Sequence, residues 1–94
     1  MRESVFQTKF LRILKLEFPD AFIVKISDKF VSGLPDVMMI NKSIAYFFEL
    51  KTKSKLSKLQ TYTLKRLNMA GATAKVITPQ NYREEVNLCK AKES

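Results

Sequence analysis

The spacing of apolar residues predicts a helix near the start of the chain. Aromatic and aliphatic residues recur there at intervals of three and four: Phe6, Phe10, Ile13 and Leu14. This spacing is typical of an amphipathic helix, and we predict one over residues 4–18 whose apolar stripe enters the core. Ser4 and Gln7 have the spacing of a capping box, and Pro19 ends the helix.

Three short segments after this helix have the pattern of strands. They are rich in β-branched, aromatic and other apolar residues, and we predict strands at residues 21–26, 36–40 and 44–51. Asn41-Lys42-Ser43 predicts a hairpin-like turn between the last two. Ser27-Asp28-Lys29 predicts another turn, with Phe30-Val31 as a further short strand before Gly33.

The segment 44–51 carries the most informative pattern. Its residues fall on two sides, Ile44, Tyr46, Phe48 and Leu50 on one and Ala45, Phe47, Glu49 and Lys51 on the other. A strand that is apolar on both sides is typical of a central strand covered by helices, where an acid and a lysine are not normally buried without cause. The alternative is that the strand leaves the core at Glu49 and that its two charges are solvated or paired.

A second helix is predicted over residues 57–70. Ser57 and Gln60 have the spacing of a capping box at its start, and Gly71 suits the position just after its end. Four apolar residues are predicted to form its inward side: Leu59, Tyr62, Leu67 and Ala70. Gln60 has two interpretations, because capping alone would explain it as well as a role in a site.

The remaining segments complete an α/β pattern. Residues 72–78 predict a strand, which a helical crossover makes parallel to strand 44–51. Pro79 and Asn81 introduce a third helix. Its inward residues are predicted to be Tyr82, Val86 and Cys89. We therefore expect a single domain over residues 1–94, with a small mixed central sheet flanked by helices in the order α-β-β-β-α-β-α.

Composition favours a compact protein that binds a polyanion. Hydrophobic residues make up 46% of the chain, with only 2 Gly and 3 Pro, so little disorder is expected. Lys and Arg number 17 against 9 Asp and Glu, and the net charge of +8 favours nucleic acid over a membrane surface or a merely soluble basic protein.

The same composition narrows the chemistry and the location. The chain has no His and 1 Cys, which argues against a structural zinc site and leaves oxygen atoms to hold any metal. It has no signal-peptide core, and no apolar run approaches the roughly 20 residues that span a bilayer. We expect a cytoplasmic protein with no membrane contact.

Candidate chemistry lies where the strand pattern turns polar. Gly33 gives the backbone freedom and Pro35 fixes φ, so Asp36 enters its strand on a constrained backbone. Glu49 and Lys51 follow on one side of the next strand. Two acids and a lysine at one edge of a sheet suit a metal-dependent phosphodiesterase.

The order of these motifs resembles the PD-(D/E)xK nuclease superfamily, and within it the virus-type replication-repair nuclease (VRR-NUC) branch. The motifs are an acid that opens the first helix, Glu3, then Gly33-x-Pro35-Asp36, Phe48-Glu49-Leu50-Lys51-Thr52 and Leu56-Ser57-x-x-Gln60. The resemblance implies a restriction-endonuclease-like core that cuts DNA with a divalent cation. Small stand-alone members, typical of bacteriophages, resemble Holliday-junction resolvases that act as homodimers.

The resemblance also implies a set of metal ligands. Asp36 and Glu49 would be the metal carboxylates, the Leu50 carbonyl a further ligand, and Glu3 the acid of the first helix. A site built from oxygen atoms suits Mg²⁺, with Mn²⁺ as a possible substitute.

Roles for the neighbouring polar residues follow in the same way. Lys51 would orient the attacking water or stabilise the developing negative charge, and Gln60 would position that water or Lys51. Basic residues are dense after the site, and Lys53, Lys55 and Lys58 are predicted to contact nucleic-acid phosphates.

We therefore predict a magnesium-dependent, structure-selective DNA endonuclease that acts as a homodimer. By resemblance it is Holliday-junction resolvase-like, with branched or four-way junction DNA as substrate, in DNA replication, recombination or repair. The alternative is a non-catalytic basic DNA-binding or assembly module on a nuclease-like fold. The presence together of Asp36, Glu49 and Lys51 favours the enzyme.

Overall fold

The fold of the chain is a mixed α/β arrangement in the predicted order. A computed structural model describes residues 1–27 and 31–94. The elements in that part of the chain are α1 (Glu3–Glu17), β1 (Phe22–Lys25), β2 (Val37–Asn41), β3 (Ile44–Leu50), α2 (Lys58–Met69), β4 (Thr73–Ile77) and α3 (Tyr82–Lys92). The turn predicted at residues 27–29 and the strand at 30–31 include residues 28–30, which lie outside the described part.

The four strands form one sheet in the order β1-β2-β3-β4. The pairs β1–β2 and β2–β3 are antiparallel, whereas β3 and β4 are parallel and joined through α2, as predicted. The predicted hairpin turn is confirmed. Lys42 and Ser43 have φ values of 49° and 67°, and positive φ at both central residues is typical of a type I′ turn.

One face of the sheet packs against α1 and α3 and forms the core. Its buried side chains are Phe6, Phe10, Leu14, Phe18, Val37, Met39, Tyr46, Phe48, Leu50, Ile77, Tyr82, Val86 and Cys89. The Phe10 and Phe48 rings meet edge to face at 5.3 Å between centroids. The predicted inward sides of α1 and α3 are thus confirmed, except that Ile13 is only partly buried. Burial raises the pKa of the Cys89 thiol to about 11, in keeping with a small buried hydrophobe.

The second helix, α2, lies on the opposite face of the sheet over β4. Leu64 is its buried residue, and the Asn68 side chain bonds both the amide and the carbonyl of Ala74. The inward side predicted for this helix is wrong, since three of its four residues are exposed: Leu59, Tyr62 and Ala70. The bonds of Asn68 to β4 fix a different rotation of the helix about its axis.

The position of α2 also leaves β3 less covered than predicted. Tyr46, Phe48 and Leu50 are buried against α1 and α3, but Ala45 and Phe47 on the other side are only half-buried. Because α2 packs on β4, the helix does not fully cover the middle of the sheet.

The capping predictions had mixed outcomes. Ser57 caps α2 with a complete capping box that includes Gln60, and Gly71 follows the helix with a φ of 106°, as predicted. The box predicted at Ser4 is wrong, because α1 begins at Glu3 and its N-cap, Arg2, makes no side-chain bond. Ser4 therefore lies inside the helix.

The start of α3 also differs from the capping prediction. Asn81 occupies the N-cap position without capping the helix. Its side chain instead accepts from the Thr78 amide and donates to the Val76 carbonyl.

In the part of the chain that the structure describes, no helix is both long and apolar enough to cross a membrane.

Candidate active site

Asp36 stands immediately before β2, beside the end of β3. Its amide donates to the Phe48 carbonyl at 3.0 Å, and its carbonyl accepts from the Ile26 amide at 2.8 Å. The side chain accepts from the Leu50 amide through Oδ2 at 2.8 Å. Hydrogen bonds on both sides therefore hold the Asp36 backbone, and the Leu50 amide fixes its carboxylate at this edge of the sheet.

The loop that delivers Asp36 packs closely on α2. Gly33 has a φ of 83°, a left-handed value that confirms the predicted need for backbone freedom. A Cβ at this position would lie 2.7 Å from Leu59 Cγ and 3.2 Å from Thr63 Oγ1. The glycine thus also permits a close approach between the Asp36 loop and the helix that carries Gln60.

Glu49 lies on β3 next to Asp36 and is only 3% exposed. The pKa of its carboxyl is raised to about 7, chiefly by burial and then by the Asp36 carboxylate through its charge and a hydrogen bond. Lys51 opposes this shift, and Glu3 adds to it. The two carboxyl groups are therefore close enough to disfavour ionisation of both.

Lys51 and Glu49 form an ion pair at the end of β3. Lys51 Nζ lies 3.7 Å from Glu49 Oε2, and the Lys51 amide donates to the Ile77 carbonyl at 3.0 Å. Leu50 between them is fully buried, so the strand does not leave the core at residue 49. Of the alternatives for these charges, pairing is the one that the structure shows.

Gln60 reaches the same carboxylate from the first turn of α2. Its Oε1 accepts from the Ser57 amide at 2.9 Å, which completes the capping box, and its Nε2 donates to Glu49 Oε2 at 3.1 Å. Both interpretations of Gln60 therefore hold, since one side chain caps the helix and holds Glu49.

The remaining predicted ligands lie near this pair. Glu3 is exposed in the first turn of α1, close enough for its charge to affect Glu49. The Leu50 backbone is held beside Asp36 by the amide bond to Oδ2. No group of three or more His, Cys, Asp or Glu side chains in residues 1–27 and 31–94 has the arrangement of a metal site. The side-chain ligands that the structure brings together are thus the carboxylates of Asp36 and Glu49.

The predicted phosphate-binding lysines lie on the α2 side of this edge. Lys53 and Lys55 are in the connection after β3, and Lys58 is the first residue of α2. All three are exposed, and none forms an ion pair within the described residues. Their charges are available to a polyanion that approaches the end of β3.

A second basic group, on the α1 and α3 side, was missed by the sequence reasoning. Lys9 Nζ and Arg83 Cζ lie 5.0 and 5.4 Å from the centroid of the Tyr82 ring. Lys9, Tyr82 and Arg83 line a groove of about 410 Å³ between the two helices. Because β3 and β4 are parallel, α3 begins at the same end of the sheet as the Glu49 site. No local motif signals this cluster, since α1 and α3 are brought together only by folding.

No protein-family model, curated protein or solved structure matches the chain. Its membership of the nuclease superfamily therefore stays a prediction based on the motifs.

Proposed function

We propose that this protein is a metal-dependent endodeoxyribonuclease with a restriction-endonuclease-like, PD-(D/E)xK core of the VRR-NUC type. One observation carries the proposal: the Asp36 and Glu49 carboxyl groups meet at one edge of the sheet, with Lys51 3.7 Å from Glu49. The element order α-β-β-β-α-β-α with a mixed sheet is also the order that the resemblance implies.

The residues at the site fit a divalent cation. Burial of Glu49 and the charge of the neighbouring, half-buried Asp36 together raise the pKa of Glu49 to about 7, and the positive charge of a bound cation would offset that penalty. Asp36, Glu49 and the Leu50 carbonyl would hold it, and an oxygen-only set suits Mg²⁺ or Mn²⁺. When bound, the cation supplies positive charge for the scissile phosphate and lowers the pKa of water.

The side chains of the chain itself have distinct roles in this proposal. Asp36 is held by the Leu50 amide, so it loses little freedom when it binds a ligand. Gln60 fixes the orientation of Glu49, and Lys51 presents a positive charge beside it. Lys51 would orient the attacking water or stabilise negative charge that develops on the phosphate.

Two basic groups flank the site on opposite faces of the sheet. The first consists of Lys53, Lys55 and Lys58, and the second of Lys9 and Arg83. A nucleic acid that contacts both would cross the edge where Asp36 and Glu49 lie. By the resemblance, the proposed substrate is branched or four-way junction DNA, and the proposed process is DNA replication, recombination or repair. The proposed place of action is the cytoplasm, which would be that of the bacterial host if the protein is encoded by a phage.

A non-catalytic DNA-binding or assembly module is the second candidate. It is favoured by one observation, that the Glu49 carboxylate is paired with Lys51 and accepts a hydrogen bond from Gln60. In that case the polar cluster would serve only to hold β3 and α2 together, and the lysines would bind phosphate without hydrolysis.

A Mn²⁺ titration separates the two candidates. Asp36→Asn retains an oxygen that can accept from the Leu50 amide but removes a ligand charge, and Asp20→Asn is a matched change at an exposed acid near the opposite end of the sheet. We expect the wild type and Asp20→Asn to bind Mn²⁺ and Asp36→Asn to lose it. If the wild type binds DNA but neither Mn²⁺ nor Mg²⁺, the non-catalytic DNA-binding module is the correct candidate.

A further inference from the structure

The sheet face opposite α1 and α3 is apolar and only partly covered. The strand registers align six of its side chains in two rows, Phe22–Ile40–Ala45 and Val24–Met38–Phe47. Phe22 and Ile40 are 59% and 41% exposed, and the other four are half-buried. We call these six residues the open sheet face.

One side of α2 lies beside the open sheet face. Leu59 and Thr63 mark this side, because a Cβ at Gly33 would lie 2.7 and 3.2 Å from their side chains. Tyr62 and Arg66 follow them at a spacing of three residues, which places all four along one side of the helix. We call these four residues the α2 flank.

The α2 flank carries an exposed ring and a cation. Tyr62 is 55% exposed. Arg66 Nη1 donates to the Tyr62 hydroxyl at 3.0 Å, and Arg66 Cζ lies 5.9 Å from the centroid of the ring. Within residues 1–27 and 31–94, Arg66 forms no ion pair. Its charge is therefore available to an anion that lies beside the Tyr62 ring.

The candidate active site lies at one end of the open sheet face. Glu49 and Phe47 alternate along β3, so they share a face and lie roughly 7 Å apart. Asp36 and Ile40 are four residues apart, which is roughly 13 Å along an extended strand. A ligand that leaves the two carboxylates along β2 and β3 would therefore lie between Phe22 and the α2 flank.

The chemistry of this surface fits an unpaired nucleic-acid strand. Its three rings are Phe47 next to the carboxylates, Tyr62 on the α2 flank and Phe22 on β1. Aromatic side chains beside cations bind single strands by base stacking, whereas the bases of a duplex are already stacked and paired. Arg66 and the first basic group after β3 supply the cations, in a chain with a net charge of +8.

We propose that the open sheet face and the α2 flank bind single-stranded DNA by base stacking. The roughly 13 Å between the ends of this surface has room for about two to four nucleotides at the spacing of stacked bases. The inference deepens the proposed function and rests on it in one respect, that the bound strand continues from the candidate active site. Binding itself requires neither a metal nor hydrolysis.

Fluorescence anisotropy with a labelled oligo(dT) of about 12 nucleotides, in EDTA, tests the stacking. Phe22→Leu and Tyr62→Leu remove a ring but keep an apolar side chain, and we expect each to weaken binding about fivefold or more. Phe22→Tyr and Tyr62→Phe keep the ring and should bind as the wild type does. Leu16→Ala, at an exposed leucine on α1, is the control and should have no effect. Circular dichroism checks that each variant is folded.

The salt dependence of the same binding tests the cation. Arg66→Gln should reduce the slope of log affinity against log salt concentration by about 0.7, the value for one phosphate contact on a single strand. Lys42→Gln is the matched control, because Lys42 lines a cavity with Glu17 and Lys90 on the side of α1 and α3. It should leave the slope unchanged, and an equal change in both variants would contradict the role of Arg66.

Photo-cross-linking keeps the test independent of variant folding. With an oligonucleotide that carries 5-iodouracil, we expect the wild type to cross-link at Phe22, Phe47 or Tyr62. Cross-links only at Tyr82, equal binding by Phe22→Leu and Phe22→Tyr, or no binding of oligo(dT) because two copies of the chain already cover this surface would each overturn the proposal.

The outcome for the proposed function is separate. Ring-dependent binding of oligo(dT) by a wild type that binds no divalent cation would support this inference and contradict the nuclease. Metal-dependent cleavage of DNA by a wild type whose binding of oligo(dT) does not depend on the rings would do the reverse.

Discussion

Protonation of Glu49 should control metal binding near neutral pH. Its carboxyl has a pKa of about 7, because it is buried next to Asp36. A divalent cation needs the ionised carboxylate, so protons compete with it below that pH. We expect the dissociation constant for Mn²⁺ to be nearly constant above about pH 7 and to rise about tenfold per pH unit below it.

The metal-free protein should show the opposite dependence in its stability. The folded pKa of about 7 lies above the ordinary value of 4.5, so the folded state retains a proton that the unfolded state releases between these values. The stabilisation from Glu49 is present below about pH 4.5 and is lost as the pH rises through about 7. The shift corresponds to about 3 kcal/mol in the free energy of unfolding.

Calorimetric titration with Mn²⁺ and denaturant unfolding in EDTA, each from about pH 5 to pH 8, measure these two effects. Glu49→Gln is the control, because it keeps a side chain of the same shape that cannot titrate. It should show neither the loss of metal-free stability between pH 4.5 and 7 nor tight metal binding. The reasoning would be refuted if wild-type Mn²⁺ affinity were unchanged between pH 5 and 8.

Three further predictions concern the supports of the site. Gln60→Ala should lower both the metal affinity and the free energy of unfolding, because Gln60 holds Glu49 as well as capping α2. Ser57→Ala should remove only the cap and lower the free energy of unfolding in urea by about 1 kcal/mol. Equal metal affinities of the two variants would contradict this prediction. Gly33→Ala should destabilise the protein more than Gly71→Ala, because both strain the backbone by about 1–2 kcal/mol but only the first meets α2; equal losses would argue against that contact. Replacing Lys9 and Arg83, the two cations over the Tyr82 ring, by glutamine should reduce the slope of log DNA affinity against log salt concentration by about 1–2. The control Lys42→Gln, in the β2–β3 turn, should leave the slope unchanged. An unchanged slope in the double variant would exclude the groove between α1 and α3 from the DNA interface.

Much of the fold could be predicted because local patterns and packing agree along most of the chain. The alternation in β3, the crossover to β4 and the turn at Lys42 and Ser43 depend on neighbouring residues, and the structure has all three. The candidate site was found for the same reason. Asp36 directly precedes β2 and Glu49 lies one residue before the end of β3, and adjacent antiparallel strands bring such positions together.

The errors arise where distant residues decide the outcome. Two Ser-x-x-Gln sequences have the same local signal, but only Ser57 caps a helix, because α1 begins before Ser4. The rotation of α2 is set by Asn68 bonding to Ala74 rather than by its apolar residues. The sequence pattern predicted Leu59 and Tyr62 to be inward, but both side chains are exposed.

The most direct test of the central claim is cleavage of labelled DNA. Four-way junction, flap and linear duplex substrates would be incubated with Mg²⁺ or with EDTA, using the wild type, Lys51→Ala and, as a control, Lys42→Ala at the exposed lysine of the β2–β3 turn. We expect Mg²⁺-dependent paired nicks in the junction by the wild type and by Lys42→Ala. Cleavage should fall about 100- to 1000-fold in a folded, metal-binding Lys51→Ala. Binding of these substrates without cleavage under every metal tried would contradict the account.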